Sequence, residues 1–112
     1  MVSIDDNMNI YLTRGDTITF DVELTDEDEN PYIMSADEVI VFTVRKIPGK
    51  NTALITKVNN TPEISLTTDD TKLLTFGDYK YDILIYNEVT EELQTFIADK
   101  IFTIGEEVHD FE

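Results

Sequence analysis

The side chains able to do chemistry are scattered through this chain, not gathered. Its single histidine, His109, stands in an acidic stretch at the C-terminus, and there is no cysteine. Nucleophilic catalysis needs a base held by packing and oriented by a third group, which such a stretch does not supply. Zinc normally takes several His or Cys ligands. Carboxylates are plentiful, 24 in all, but an acid/base pair needs two environments that drive the pKa values apart. Most of these acids alternate with apolar residues, which places them in water. Asp82 and Asp99 are the two expected to be partly covered, pairing with Lys80 or Lys100 across the final hairpin. No catalytic residue is expected, and the chain is not read as an enzyme.

A metal is tested by Asp26, Asp28, Asn30 and Asp37, whose spacing starts like a calcium loop. Pro31 then falls where the sharp turn needs Gly, and Asp37 replaces the bidentate Glu. Only weak surface calcium binding fits, and the default is a solvated hairpin loop. The four glycines are isolated, with no GxGxxG and no P-loop, so no cofactor is expected. The sequon at Asn59, Asn60 and Thr61 matters only in a secreted chain. Arg14-Gly15-Asp16 has the form of an adhesion tripeptide but lies between two strand patterns. Gly15 suits a tight turn, and Asp16 is expected to accept a hydrogen bond from the chain just after it.

The elements carrying these residues are strands. In 17–25, Ile18, Phe20, Val22 and Leu24 share one face, with polar residues opposite, the period of a half-buried strand. In 38–46, Ile40, Phe42 and Val44 lie on one face and Val39, Val41 and Thr43 on the other. Apolar residues on both faces suggest a central strand or a covered outer face. Shorter strands are expected at 9–13, 52–58 and 63–67, with a turn at 47–50. Asp and Thr in 68–74 suggest one helical turn. In 77–87, Tyr79, Tyr81, Ile83 and Ile85 point inward. In 93–104, Phe96, Ala98, Phe102 and Ile104 form the inner face, and Lys100 breaks it, which predicts a bulge or an edge. The count is about seven or eight short strands with regularly spaced turns, an all-β sandwich or barrel. Gly77 followed by Tyr79-x-Tyr81 at the start of the penultimate strand matches the tyrosine corner of immunoglobulin-like sandwiches. Residues 1–8 read as a flexible arm, 9–105 as one β-sandwich domain, and 106–112 as an acidic tail.

The net charge of −16 repels phosphate backbones and anionic lipid, so no nucleic acid and no membrane is expected as a partner. No apolar run approaches the length of a membrane span, and the N-terminus lacks the basic and apolar regions of a signal peptide.

The stretch from Ile10 to Lys46 runs through a first strand, Arg14-Gly15-Asp16-Thr17, an alternating strand, an acidic turn before Pro31 and a strand ending in basic residues. With the helical turn, Gly77, Tyr79-x-Tyr81 and the last strand, it resembles the N-terminal family of phage baseplate upper proteins and related small tail-associated proteins. The resemblance covers roughly residues 8 to 105. It departs at Glu29, where the family often has Gly. It implies an immunoglobulin-like β-sandwich of antiparallel strands. It also implies a non-enzymatic structural or adaptor module of a phage or prophage tail or baseplate, made in the bacterial cytoplasm and located in the virion.

On that reading the partners are other virion or tail proteins, with a homo-oligomer left open. The contact surface is the apolar outer face of Val39, Val41, Leu84 and Tyr86. The competing expectation is a secreted or surface adhesion or carbohydrate-binding β-sandwich with weak calcium binding. It would use exposed aromatics such as Tyr11 and Tyr32.

Overall fold

The computed structural model describes residues 2–4, 8–46, 53–72 and 74–105. Eight strands and one helical turn follow in order: β1 (Val2–Ile4), β2 (Ile10–Thr13), β3 (Ile18–Asp21), β4 (Glu38–Arg45), β5 (Ile55–Asn59), β6 (Glu63–Leu66), α1 (Thr68–Thr71), β7 (Gly77–Asn87) and β8 (Leu93–Gly105). Six of them form a mixed sheet in the order β1-β2-β8-β7-β4-β5, and β3 pairs with β6 in a separate ribbon. The fold is all-β, as the period-two alternation requires.

Two features differ from the sequence reading. The strands are not all antiparallel: β2 runs parallel to β8, with Ile10 beside Phe102 and Leu12 beside Ile104. Alternation reports which face a residue takes and is blind to strand direction. The expected arm at 1–8 contains β1, which pairs antiparallel with β2. The turn expected at 47–50 and the acidic tail with His109 lie outside the described residues.

The ribbon packs on one face of the sheet. Ile40, Phe42, Val44, Tyr81, Ile83, Phe102 and Ile104 from the sheet are each at most 1% exposed, and they form one core with Val22, Leu24, Ile64 and Leu66. Phe42 is the centre of that core. Phe20 meets it edge-on at 6.0 Å between ring centroids, Tyr81 lies at 5.2 Å and Phe102 at 6.2 Å. The expected inward set on β7 is thus the observed one.

The disturbance expected near Lys100 is present. The β7–β8 register shifts on either side of Ile83, and Asp99 has φ 55°. Its effect on phase was not foreseen. The extra residue turns Ile97 toward the core opposite Ile83, and Ala98 is exposed. The expected inner position at Ala98 is therefore wrong by one residue, as a bulge dictates.

Candidate functional site

The acidic turn after β3 holds itself together. Asp26 Oδ1 accepts hydrogen bonds from the Asp28 and Asn30 amides at 2.9 and 3.0 Å, and the Asp26 amide donates to Asn30 O at 2.9 Å. This is an Asx turn closed by a bridge between Thr25 and Pro31. The Asp26 carboxylate serves its own backbone. No group of three or more His, Cys, Asp or Glu residues converges on a metal position among the described residues.

Arg14-Gly15-Asp16 is clamped. The Gly15 amide donates to Thr71 Oγ1 at 3.0 Å, Thr68 Oγ1 donates to Gly15 O at 2.8 Å, and Thr71 Oγ1 donates to Asp16 O at 3.3 Å. Asp16 Oδ2 accepts from the Thr13 amide at 3.1 Å, which ties its carboxylate to the residue before the turn. The Arg14 guanidinium lies 4.7 Å from the Phe76 ring centre. Gly15 has φ 90°, a conformation costly for a residue with a Cβ. α1 is placed for this clamp by its own cap: Asp70 Oδ2 accepts from the Thr67 amide at 2.7 Å and pairs with Lys57 Nζ at 2.9 Å. Burial opposes ionisation of Asp70, yet the Thr67 amide and the Lys57 ammonium hold its carboxyl below the ordinary range.

The two candidate aromatics have intramolecular neighbours, and Tyr11 remains exposed. Tyr32 packs at a tilt against Phe96, with ring centres 5.0 Å apart, and donates to Glu38 Oε2; the other Glu38 oxygen accepts from the Ser35 amide at 2.8 Å. The hydrogen bond to Glu38, then burial, push the Tyr32 phenol up to about 12. The Ser35 amide first, then the Tyr32 hydroxyl, hold the Glu38 carboxyl low. Tyr11 packs over Gly105, where an added Cβ would lie 2.0 Å from its hydroxyl. The sequon side chain of Asn59 donates to Glu63 O at 2.8 Å.

Asp82 finds a partner that the sequence reading did not name. Arg45 reaches it diagonally from β4 at 3.5 Å, and its other oxygen accepts from the Asp99 amide at 2.9 Å. Asp99 itself is exposed, because the bulge turns it outward.

What the fold does bring together is the outer face of the sheet. Val39 stands opposite Tyr86, and Val41 opposite Leu84. All four are half-buried and lie on the face away from the ribbon. The strip is wider than expected, because Val58 flanks Val41 from β5 and Leu93 flanks Tyr86 from β8. These two are 60% and 65% exposed. The alternation in 52–58 and the uncharged start of 93–104 carried that signal, but registering it required the strand order. Exposed Glu88, Glu91 and Glu92 sit in the turn at one end of the strip.

A second concave feature lies on the opposite side, beside the ribbon. A groove of about 420 Å³ separates β3 from the β2 and β7 region of the sheet. Ile10, Phe20 and Tyr81 line it, with Asp21 and Glu23 along its β3 side.

No family model matches this chain, and neither does any curated protein or solved structure. No helix among the described residues is long and apolar enough to cross a membrane.

Proposed function

We propose that this chain is a non-enzymatic protein–protein contact module with an immunoglobulin-like arrangement. Its resemblance to small phage tail and baseplate proteins gives the most concrete setting, a structural adaptor within a virion. The observation that carries the reading is the apolar strip of Val58, Val41, Leu84, Val39, Tyr86 and Leu93 across four adjacent strands. Scattered surface hydrophobics are ordinary, but a contiguous patch bordered by charge is the mark of a contact surface.

The immunoglobulin-like part is supported by the order β2-β8-β7-β4-β5 with the β3-β6 ribbon over one face. It is also supported by the Tyr79 hydroxyl, which donates to Thr75 O at 2.7 Å, the backward bond of a tyrosine corner. Buried Tyr81 two residues on fills the core position behind it.

Charge favours a different protein over a second copy as the partner. Arg45, Lys57 and Lys72 are each paired with a carboxylate of this chain, and Arg14 and Lys46 each lie over an aromatic ring. The net charge is −16, so two copies would meet against a combined repulsion. A partner with an apolar centre and a basic border fits.

The test is a Val41→Glu, Tyr86→Lys double variant. It is measured by light scattering and by pairwise binding against the structural proteins encoded beside this chain. A monomeric wild type that binds one of them, with binding lost in the variant, is expected. Unchanged binding of the variant to every such protein would sink the reading.

A further inference from the structure

We propose that the open edge of β3 is a docking site for one extended strand of a partner protein. The strand would carry an alternating apolar face and basic flanks. The site is separate from the outer face of the sheet.

Three observations converge on it. The first is the backbone. β3 pairs with β6 on one side only, through Ile18 to Asp21 against Leu66 to Glu63. The Val22 amide continues that ladder to Pro62 O at 2.8 Å. Antiparallel pairing alternates, so residues in phase with Val22 turn their N–H and C=O groups toward β6. Thr19, Asp21 and Glu23 are out of phase and turn theirs toward the other side. There the ribbon has no further strand among the described residues. The hairpin after β3 does not close this edge. Tyr32 returns to Leu24 O at 2.9 Å, and Leu24 is in phase with Val22, on the β6 side.

The second observation is the incomplete core beside that edge. Ile18 and Phe20 point at the sheet and pack against the buried cluster, yet both are only half-buried. Phe20 is an inward aromatic in edge contact with Phe42. A residue of that kind is ordinarily covered by the neighbouring strand, and among the described residues no strand pairs with β3 on that side. The groove of about 420 Å³ occupies that place. Its floor is Ile10 and Tyr81, both nearly fully buried. Alternate side chains of a strand laid along β3 would point into it, since strand side chains repeat every second residue.

The third observation is charge. Asp21 and Glu23 are exposed along the groove, and no cation of this chain is paired with either among the described ion pairs. Basic residues flanking the incoming strand would meet them. Strand addition draws affinity from main-chain hydrogen bonds and selectivity from such alternate pockets.

Exposed edges are usually guarded by charge, Pro or bulges, and the edge of β3 differs in this from the free stretch of β8. β8 carries its register shifts and positive-φ Asp99 along its free stretch. β3 pairs in regular register with no bulge.

The experiment is amide hydrogen exchange on the full chain, with a synthetic peptide of alternating valine and threonine and a lysine at each end. A length of about seven residues runs the edge at roughly 3.3 Å per residue. With millimolar peptide, exchange at Thr19, Asp21 and Glu23 should slow by about tenfold or more. The same peptide N-methylated at alternate amides should give no protection. An Asp21→Lys, Glu23→Lys variant, checked for an unchanged melt, should bind about tenfold more weakly. Unchanged exchange at all three amides, protection along β8 instead, or equal binding of the N-methylated peptide would each overturn the proposal.

Discussion

The Thr71 hydroxyl joins two segments that lie far apart in sequence. It accepts the Gly15 amide at 3.0 Å and donates to Asp16 O at 3.3 Å. The residue is fully buried, so water cannot replace either bond. Thr71→Val keeps the shape and strands both partners. A buried unsatisfied group costs about 1–3 kcal/mol, so a loss of about 2–4 kcal/mol is expected in urea unfolding. Exchange at the Gly15 amide should accelerate in the same variant. A change under about 0.5 kcal/mol would mean the clamp is not formed.

Phe42 is the packing centre, with no exposure and three aromatic neighbours. Phe42→Ala should cost about 3–5 kcal/mol, read as a shift of the denaturation midpoint at constant slope.

Glu29 should gain from losing its side chain. It sits at φ 63° in the Asx turn of Asp26, a conformation that costs a residue with a Cβ roughly 1–2 kcal/mol. Glycine adopts it freely but adds entropy to the unfolded chain. Glu29→Gly should therefore stabilise by about 0.5–1 kcal/mol and raise the melting temperature by a few degrees. A lower melting temperature would contradict the assigned backbone.

The Tyr32–Glu38 bond gives a pH signature at both ends. The folded carboxyl titrates below its ordinary value of 4.5, mainly through the Ser35 amide and then the Tyr32 hydroxyl. Its contribution is present above that value and lost as pH falls through the folded pKa. The folded phenol titrates at about 12 against an ordinary 10.0, chiefly through its bond to Glu38. Its contribution is complete below 10.0 and lost as pH rises through about 12. Spectrophotometric titration of wild type minus Tyr32→Phe should place the missing phenol near the upper value. A midpoint at the ordinary one would show the bond absent. The stability gap between wild type and Glu38→Gln should close only below the ordinary carboxyl range.

Tyr79→Phe removes the hydroxyl's bonds to Thr75 O at 2.7 Å and Thr75 Oγ1 at 3.0 Å while leaving the ring over which Lys46 lies at 4.5 Å. A cost of about 0.5–1.5 kcal/mol is expected, with no change in the near-ultraviolet signature of the remaining core.

Strand phase was legible wherever polar and apolar residues alternate. Ile40, Phe42 and Val44, and Tyr79 through Ile85, were assigned inward and are inward, because facing is a local property with period two. The parallel direction of β2 was not legible, since it depends on β8, more than ninety residues away. Neither was the one-residue slip at Ala98, which arises from a bulge whose place is set by the partner strand. The contact strip was half visible. Val39, Val41, Leu84 and Tyr86 follow from alternation, but only strand order adds Val58 and Leu93. The groove beside β3 left no sequence signal, because it lies where β3 has no second neighbouring strand among the described residues.

The parallel pairing of β2 and β8 has a mechanical consequence. Force drawn between Ile10 and Gly105 enters the pair at one end of β2 and leaves at the opposite end of β8. The load then runs along the strands and across all of their cross-links together. Such a joint must slide as a whole before it opens, whereas an antiparallel hairpin pulled at its open end unzips one link at a time. Under tension this domain should behave as a stiff coupler and not as an extensible one.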